Sequence, residues 1–138
     1  MKTLMAVLGV ALVAVSVPSL AHELTLRVDN VKNLNGNLLV AVYDQALHYS
    51  SDNQWVVARK IKVTEGPILI PLGDVPVGHY AVKLFQDEND NGMIDKNPMG
   101  IPVEPYGFSN NGGSYGQPSF DDAKVLVDKA TEIEIQLR

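Results

Sequence analysis

The sequence contains no cysteine among its 138 residues. This absence excludes a disulfide framework, thiolate metal sites and a cysteine nucleophile. Runs of lysine and arginine are also absent, and acidic side chains outnumber basic ones by 16 to 11. Because phosphate backbones and anionic lipid surfaces attract basic patches, this balance argues against nucleic acid and membrane surfaces as partners.

Long apolar runs are absent except at the amino-terminal end. A short positive start precedes residues 4–17, which are almost entirely apolar, and Ser19 to Ala21 supply small residues around a cleavage point. This three-part pattern is typical of a secretory signal peptide, and the apolar run is too short for a comfortable membrane span. We expect residues 1–21 to be a cleaved signal peptide and residues 22–138 to be periplasmic or secreted, without membrane insertion. An uncleaved anchor helix is the alternative.

The expected mature chain has 117 residues, of which 10 are basic and 16 acidic. This length suffices for one compact domain and is too short for two. Neither an internal repeat nor a low-complexity linker divides it. We therefore treat residues 22–138 as a single domain.

The mature sequence has the pattern of strands joined by turns. Leu24, Leu26 and Val28 alternate with polar residues, which is the period of a half-buried strand. Asn35-Gly36 predicts a hairpin turn, and the apolar stretch 37–44 after it predicts a central strand. The polar stretch 45–54 is predicted to be a loop or one helical turn. Further strand patterns occupy residues 55–63, 68–72, 80–85, 123–127 and 133–137. About seven short strands predict an all-β fold, a single antiparallel β-sandwich.

One stretch interrupts this rhythm of strands and turns. Residues 97–117 show no sustained period and are rich in proline and glycine. Structureless segments of this length are uncommon inside a compact domain and are usually functional or mobile. We therefore look for function between Asp87 and Phe120.

The segment Asp87 to Asp95 matches the first nine positions of a calcium loop of the D-x-[DN]-x-[DN]-G type. Alternate side-chain oxygens can converge on a hard cation while Gly92 permits the sharp turn. The bidentate acid of such loops is missing, because Pro98 stands at the twelfth position. The predicted Ca²⁺ ligands are Asp87, Asn89, Asn91, Met93 through its carbonyl, Asp95 and, as the missing carboxylate, Glu104, with Asp121 or Asp122 as alternatives to Glu104.

Two certain carboxylates predict weak calcium affinity, with a Kd on the order of 10⁻⁴ to 10⁻³ M. The expected role of such an ion is to hold the long loop in place. The alternative is a strand-end hairpin in which Asn91-Gly92 forms the turn and the side chains bond local backbone.

A second metal hypothesis concerns copper. Cleavage after Ala21 would make His22 the amino-terminal residue, and an amine with an imidazole suits copper. His48 or His79 would then complete the site. The alternative is that the cleavage point happens to precede a histidine.

Enzymatic chemistry has weak support in the sequence. Gly112 to Gly116 fits the string G-x-S-x-G, but a nucleophile elbow requires a strand before the serine, a helix after it and a later histidine. All three histidines precede Ser114. We therefore predict that the protein is not an enzyme.

Four aromatic residues lie along the irregular stretch: Tyr106, Phe108, Tyr115 and Phe120. On a loop they could stack against sugar rings or peptides. Alternatively they plug the open end of the sandwich and hold the loop down, which is the interpretation we favour, because large aromatics bury readily.

Several segments resemble a family of exported bacterial proteins known only as a domain of unknown function, family 2141. The residues that carry this resemblance are Asn35-Gly36, the stretch Val75 to Val82, the block Asp87 to Asn111 and the stretch Pro118 to Ala123. The resemblance covers essentially the whole mature chain. It implies a transthyretin-like or immunoglobulin-like sandwich in an exported protein, and it implies no activity.

Together these patterns predict a non-enzymatic, exported β-sandwich module. Its 87–95 loop is the candidate for a structural Ca²⁺, and its end loops are the candidate surface for an unknown protein, peptide or glycan. A periplasmic copper-binding protein that uses His22 is the alternative function.

Overall fold

A computed structural model describes residues 9–15 and 20–138 of the chain. In chain order its elements are β1 (Ala21–Asp29), β2 (Asn37–Tyr43), α1 (Ala46–Ser51), β3 (Val57–Lys62), β4 (Ile68–Pro76), β5 (Gly78–Asp87), β6 (Tyr106–Phe108), a 3-10 helix (Ser109–Asn111), α2 (Phe120–Ala123), β7 (Val125–Val127) and β8 (Thr131–Gln136). The short helix α1 lies in the polar stretch that predicted a loop or one helical turn. Strand β6 and helix α2 were not predicted from the sequence.

The strands form two sheets that pack face to face. One sheet has the order β4-β1-β8, and the other has the order β3-β2-β5-β6, with β7 paired to the start of β5. The prediction of an all-β sandwich is therefore confirmed, and β2 is an interior strand as expected. One pairing departs from the antiparallel expectation, because β8 runs parallel to β1. Two parallel strands cannot be joined by a tight turn, so the chain must cross over before it forms β8. It does so by passing through the other sheet, whose last strand before β8 is β7.

The predicted hairpin at Asn35-Gly36 is wrong. Strand β1 pairs with β4 and β8, whereas β2 pairs with β3 and β5, so residues 30–36 cross from one sheet to the other. Gly36 has a φ of +70°, which is the conformation that the asparagine-glycine signal indicates. The signal thus identified the backbone at Gly36 but not at Asn35, which has no positive φ. Pairing partners far along the chain decided where β1 and β2 went.

The inner faces of the two sheets share one apolar core. Strand β1 buries Leu24, Leu26 and Val28 at every second position, and β8 buries Ile133 and Ile135 in the same way. The alternation that predicted half-buried strands therefore describes the real sheet, since successive side chains of a strand point to opposite faces. The core residues contributed by the facing sheet are Leu38, Val40, Val42, Tyr80, Val82, Leu84 and Val127.

A second apolar cluster closes one end of the outer face of the five-stranded sheet. Tyr43 is 1% exposed because it packs edge-on against Tyr49 of α1, with 5.7 Å between ring centroids. Phe120 of α2 packs on Tyr49 as well, at 5.9 Å. Ser109 ties this end to the sheet, because its hydroxyl accepts the N–H of Val82 at 2.9 Å and donates to the carbonyl of Ala123. The rest of this outer face has no helix over it in the described chain.

The expected signal peptide lies partly outside the described residues, including its positive start and Ser19. Residues 9–15 belong to no helix or strand and are exposed, and β1 begins at Ala21, the last residue of the predicted leader. No helix in the described ranges is long and apolar enough to cross a membrane.

Candidate functional site

Two buried carboxylates hold the loop that follows β5. Asp87 is fully buried, and its oxygens accept the backbone N–H groups of Asn91 at 3.2 Å and Gly92 at 2.8 Å. Glu104 is 6% exposed, and its oxygens accept the N–H groups of Glu88 and Asp95, both at 2.7 Å. Hydrogen bonds to a charged acceptor are stronger than those between neutral groups, so each acid fixes two points of the loop.

The alternate side chains of the predicted calcium loop do come together. The amide nitrogens of Asn89 and Asn91 donate to the two oxygens of Asp95, at 2.5 Å and 2.8 Å. The side-chain oxygen of Asn91 also accepts the N–H of Met93 at 3.0 Å. These bonds connect four of the six predicted ligand positions directly to one another.

The arrangement bears on how this loop would hold calcium. Glu104 reaches the loop, as the sequence suggested, but both of its oxygens accept backbone N–H groups. The amides of Asn89 and Asn91 turn nitrogen toward Asp95, so both must rotate before their oxygens face an ion. The described residues contain no group of three or more histidine, cysteine, aspartate or glutamate side chains arranged to hold a metal. The calcium hypothesis therefore stays a prediction, and internal hydrogen bonds already hold the loop conformation.

The three histidines lie on three different elements. His22 is in β1 opposite Val75, His48 is in α1, and His79 is in β5 opposite Leu126. Over residues 9–15 and 20–138, His22 belongs to no group of three or more histidine, cysteine, aspartate or glutamate side chains arranged to hold a metal. The copper hypothesis stays a prediction.

An open groove of about 750 Å³ lies on the outer face of the five-stranded sheet. Its floor consists of two cross-strand rows that run over β3, β2, β5 and β6. The first row is Lys60, Leu39, Phe85 and Tyr106, and the second is Ala58, Ala41, Lys83 and Phe108. Strands are spaced about 4.8 Å apart, so four of them give a floor about 14 Å wide. Because the side chains of Ala41 and Ala58 are small, the groove is deeper over the second row.

Loops and the helical cluster form the walls of this groove. At the helical end stand Tyr43 and Asp52, with Trp55 beside the edge strand β3. The opposite end is formed by residues of the calcium-like loop and its continuation: Gly92, Ile94, Lys96, Gly100 and Pro102. Gly116 and Gln117 of the glycine-rich segment line the groove as well. Both segments that the sequence singled out therefore border the same concavity.

Lys83 is the charged group nearest the helical end of the floor. Its ammonium donates to the carbonyl of Tyr49, lies over the rings of Tyr43 and Tyr49 at 5.0 Å and 4.3 Å from their centroids, and is 3.6 Å from the carboxylate of Asp52. Burial lowers the pKa of Lys83, and the nearby Asp52 opposes that shift. Burial likewise raises the pKa of Tyr49 to about 12, and burial with the hydrogen bond to Asp52 raises that of Tyr43 further. Lys83 is thus a partly desolvated cation that is already surrounded by partners.

The four aromatic residues of the irregular stretch divide between the two roles that the sequence left open. Phe120 packs into the helical cluster, which is the plugging role. Tyr106 and Phe108 are half-buried in the groove floor, with 5.9 Å between their ring centroids. Tyr115 is fully exposed. The plug interpretation therefore holds for one residue, and two others line a surface open to a ligand.

Ser114 lies in the glycine-rich segment, where its hydroxyl accepts a hydrogen bond from Arg138 at 3.1 Å. It is exposed, and it is followed by turn residues rather than by a helix. The local structure is thus unlike that of a nucleophile elbow, which places its serine between a strand and a helix.

Sequence reasoning missed the groove residues that come from regular strands. Leu39, Ala41 and Phe85 looked like ordinary strand residues, and Trp55 looked like the start of a strand. A signal was present, because β2 is apolar on both faces, whereas a strand with one solvated face alternates apolar with polar residues. When a strand of a small sandwich carries apolar residues on both faces, its outer face is expected to be covered by another element or to bind a ligand.

Comparison with known proteins gives one match. No curated protein and no solved structure is significantly similar to the chain. The family model described as "Uncharacterized protein conserved in bacteria (DUF2141)" matches residues 26–135, which is most of the chain and nearly all of the sandwich. The match extends from β1 to β8 and includes both loops that border the groove. The chain therefore belongs to the DUF2141 family of uncharacterised bacterial proteins.

Proposed function

We propose that the protein is an exported, non-enzymatic binding module that takes a small ligand with an apolar body into the groove on its five-stranded sheet. The observation that carries this proposal is the concavity of about 750 Å³ with an apolar and aromatic floor. Ligand sites in proteins are typically concave, mostly apolar and about 300–1,000 Å³ in volume.

The composition of the floor supports binding rather than simple solvation. The outer face of a sheet that only meets water is usually polar. Here the outward positions carry Leu39, Phe85, Tyr106 and Phe108, all of which keep part of their surface accessible. Covering this apolar surface with a ligand would remove it from water, and the gain is roughly 25 cal/mol for each Å² removed.

Export is the second part of the proposal. The apolar stretch before β1 supports it, because its described side chains find no place in the core: Val10, Leu12, Val13 and Val15 are each at least 80% exposed. An apolar segment without packing partners in the folded chain fits a leader that is removed. Mass spectrometry of the amino terminus after expression in a Gram-negative host tests this, and a mature chain that still begins at Met1 would contradict it.

A weak structural Ca²⁺ in the 87–95 loop is the third part. The convergence of Asn89 and Asn91 on Asp95 supports it, since these groups lie at alternate loop positions, as in known calcium loops. The ion would hold the wall of the groove and take no part in chemistry. The need to rotate two amides supports a weak rather than a tight site.

The groove is tested by titrating the purified protein with octanol, a neutral molecule with an apolar body, in an isothermal calorimeter. Trp55 gives a second readout, because it lines the groove and is the one tryptophan of the sequence. We expect saturable binding with one site per chain and a change in the emission of Trp55.

A variant that fills the groove locates the site. Ala58→Phe adds a ring to the floor at an exposed position of the edge strand β3, and we expect it to weaken octanol binding by tenfold or more. Lys62→Phe is the matched control, because it adds the same ring four residues along the same strand and does not line the groove. Equal binding by both variants, or no binding by the unmodified protein, would overturn the proposal.

A further inference from the structure

We infer that the ligand of the groove is an amphiphilic organic carboxylate, whose charged group lies at the loop end of the groove and whose apolar body lies on the floor. This inference rests on the proposed binding function and adds the chemical class of the ligand. It depends on the distribution of charge around the groove.

Basic residues are concentrated in the groove although the chain as a whole is acidic. The chain carries 16 acidic and 11 basic side chains. Among the groove-lining residues, one is acidic, Asp52, and four are basic: Arg59, Lys60, Lys83 and Lys96. A concavity with low-dielectric walls concentrates the field of the charges that line it. A local excess of cations in an acidic protein favours an anionic ligand.

Two of these four cationic side chains already make contacts within the protein. Arg59 pairs with the core-facing Val40, so it lies on the other side of β3, and its Nε donates to the carbonyl of Pro71 at 3.2 Å. Lys83 is held by a backbone carbonyl, two aromatic rings and Asp52. Neither is available to a ligand without breaking existing contacts.

The other two cations are available. Lys60 is 3.0 Å from Asp90, but both side chains are more than half exposed, so this ion pair is weak and easily exchanged. Lys96 makes no ion pair with any described residue. Each ammonium group is therefore available to a carboxylate at little cost.

Lys60 and Lys96 belong to the same end of the groove. Lys60 lies in the first floor row with Leu39 and Phe85. Phe85 is two residues before the end of β5 at Asp87, so this row lies at the loop end of the groove. The ion-pair partner of Lys60, Asp90, is in the loop that begins there, and Lys96 lies farther along that same loop. The remaining floor toward Phe108 carries alanines, aromatic rings and Lys83, whose ammonium is already held by its own partners. The two available cations thus lie at one end of the groove, and most of the floor beyond them is apolar, which complements a molecule with a carboxylate head and an extended apolar body.

A series of ligands with one apolar body and different head groups tests this. Octanoate, octanol and octylammonium are titrated into the purified protein by calorimetry at low and high salt. We expect octanoate to bind roughly five- to tenfold more tightly than octanol, the gain expected for two exposed charge pairs. We expect added salt to reduce this preference, since exposed charges are screened.

The charge-removing variant is Lys60→Met together with Lys96→Met, which keeps side-chain length. We expect it to lose the preference for the charged head group, so that octanoate binds no more tightly than octanol. Lys32→Met together with Lys129→Met removes the same charge at exposed positions outside the groove and should keep the preference.

The outcomes separate this inference from the proposed function. If octanol binds in the groove and octanoate binds no better, or if octylammonium binds best, the carboxylate inference is wrong and the binding function stands. If the variant with both Lys60→Met and Lys96→Met keeps the preference for octanoate, the inference is also wrong. If no member of the series binds, both fall.

Discussion

Gly36 lies directly against the backbone of Asp87, so that a Cβ added to Gly36 would stand 1.8 Å from the Asp87 carbonyl oxygen. This contact joins the crossing between the sheets to the end of β5, where the 88–105 loop begins. Asp87 is itself the buried acid that holds Asn91 and Gly92. The placement of the loop wall of the groove therefore depends on a residue 51 positions earlier in the chain.

Gly36→Ala should strongly destabilise the protein. The added methyl group would overlap a backbone carbonyl, and the φ of +70° is unfavourable for alanine. We expect a loss of about 3 kcal/mol or more in the free energy of unfolding, measured by urea denaturation. Gly100→Ala is the control, because Gly100 has a φ of +80° but nothing within 4 Å of an added Cβ. It should lose only about 1 kcal/mol, and equal losses would show that conformation alone matters.

Glu104→Gln should loosen the 88–105 loop. Glutamine keeps one acceptor oxygen but turns an NH₂ group toward a backbone N–H, so one of the two bonds to Glu88 and Asp95 is lost. We expect a cost of about 1–3 kcal/mol, and faster hydrogen exchange at these two amides. Glu134→Gln, on the exposed face of β8, should change neither. Unchanged protection at both amides in the Glu104 variant would contradict the tethering role.

Stability should fall in alkaline solution because of the helical cluster. The pKa of Tyr49 is raised to about 12 by burial, whereas an unfolded tyrosine ionises near 10. Its contribution is therefore fully present below pH ~10 and is lost as the pH rises toward 12, at up to about 1.4 kcal/mol per pH unit. Tyr49→Phe should make the fall in unfolding free energy with pH shallower, as measured by urea denaturation over this range. Tyr115→Phe changes an exposed ring and should leave the slope as it is.

Calcium should stabilise the protein modestly. At about 10 mM Ca²⁺ and a Kd of about 10⁻⁴ to 10⁻³ M, binding to the folded state adds ~1.4–2.7 kcal/mol. The melting temperature with Ca²⁺ and with excess chelator measures this difference. Asp95→Ala should abolish it, whereas Asp121→Ala, an exposed acid of α2, should not. No heat on titration and no shift in melting temperature at millimolar Ca²⁺ would end the calcium hypothesis.

The strand pattern could be predicted from the sequence because it is a local property. Leu24, Leu26 and Val28 alternate whatever they pair with, and alternation fixes which face is buried. Pairing is not local. The Asn35-Gly36 signal correctly indicated a positive φ and wrongly indicated a hairpin, since contacts with β4, β5 and β8 decided the partners of β1 and β2.

The candidate site was predictable only in part, for the same reason. The loop motif around Gly92 was visible as a run of adjacent residues, and so was the glycine-rich segment. The third element of the wall, the helical cluster of Tyr43, Tyr49 and Phe120, joins residues far apart in sequence. The floor was hidden as well, because Leu39, Lys60 and Phe85 become neighbours only through strand register.

The sequence alone determined the all-β class, the absence of cysteine chemistry and the stretch where function should be sought. These are matters of composition and of short-range periodicity, which each segment carries within itself. Only the tertiary structure decided that Asp87 and Glu104 bind backbone, and that two loops, a helical cluster and the outer face of one sheet enclose a common groove. Such a groove exists because non-local pairing brings distant residues within a few ångströms of one another, and no local pattern encodes that distance.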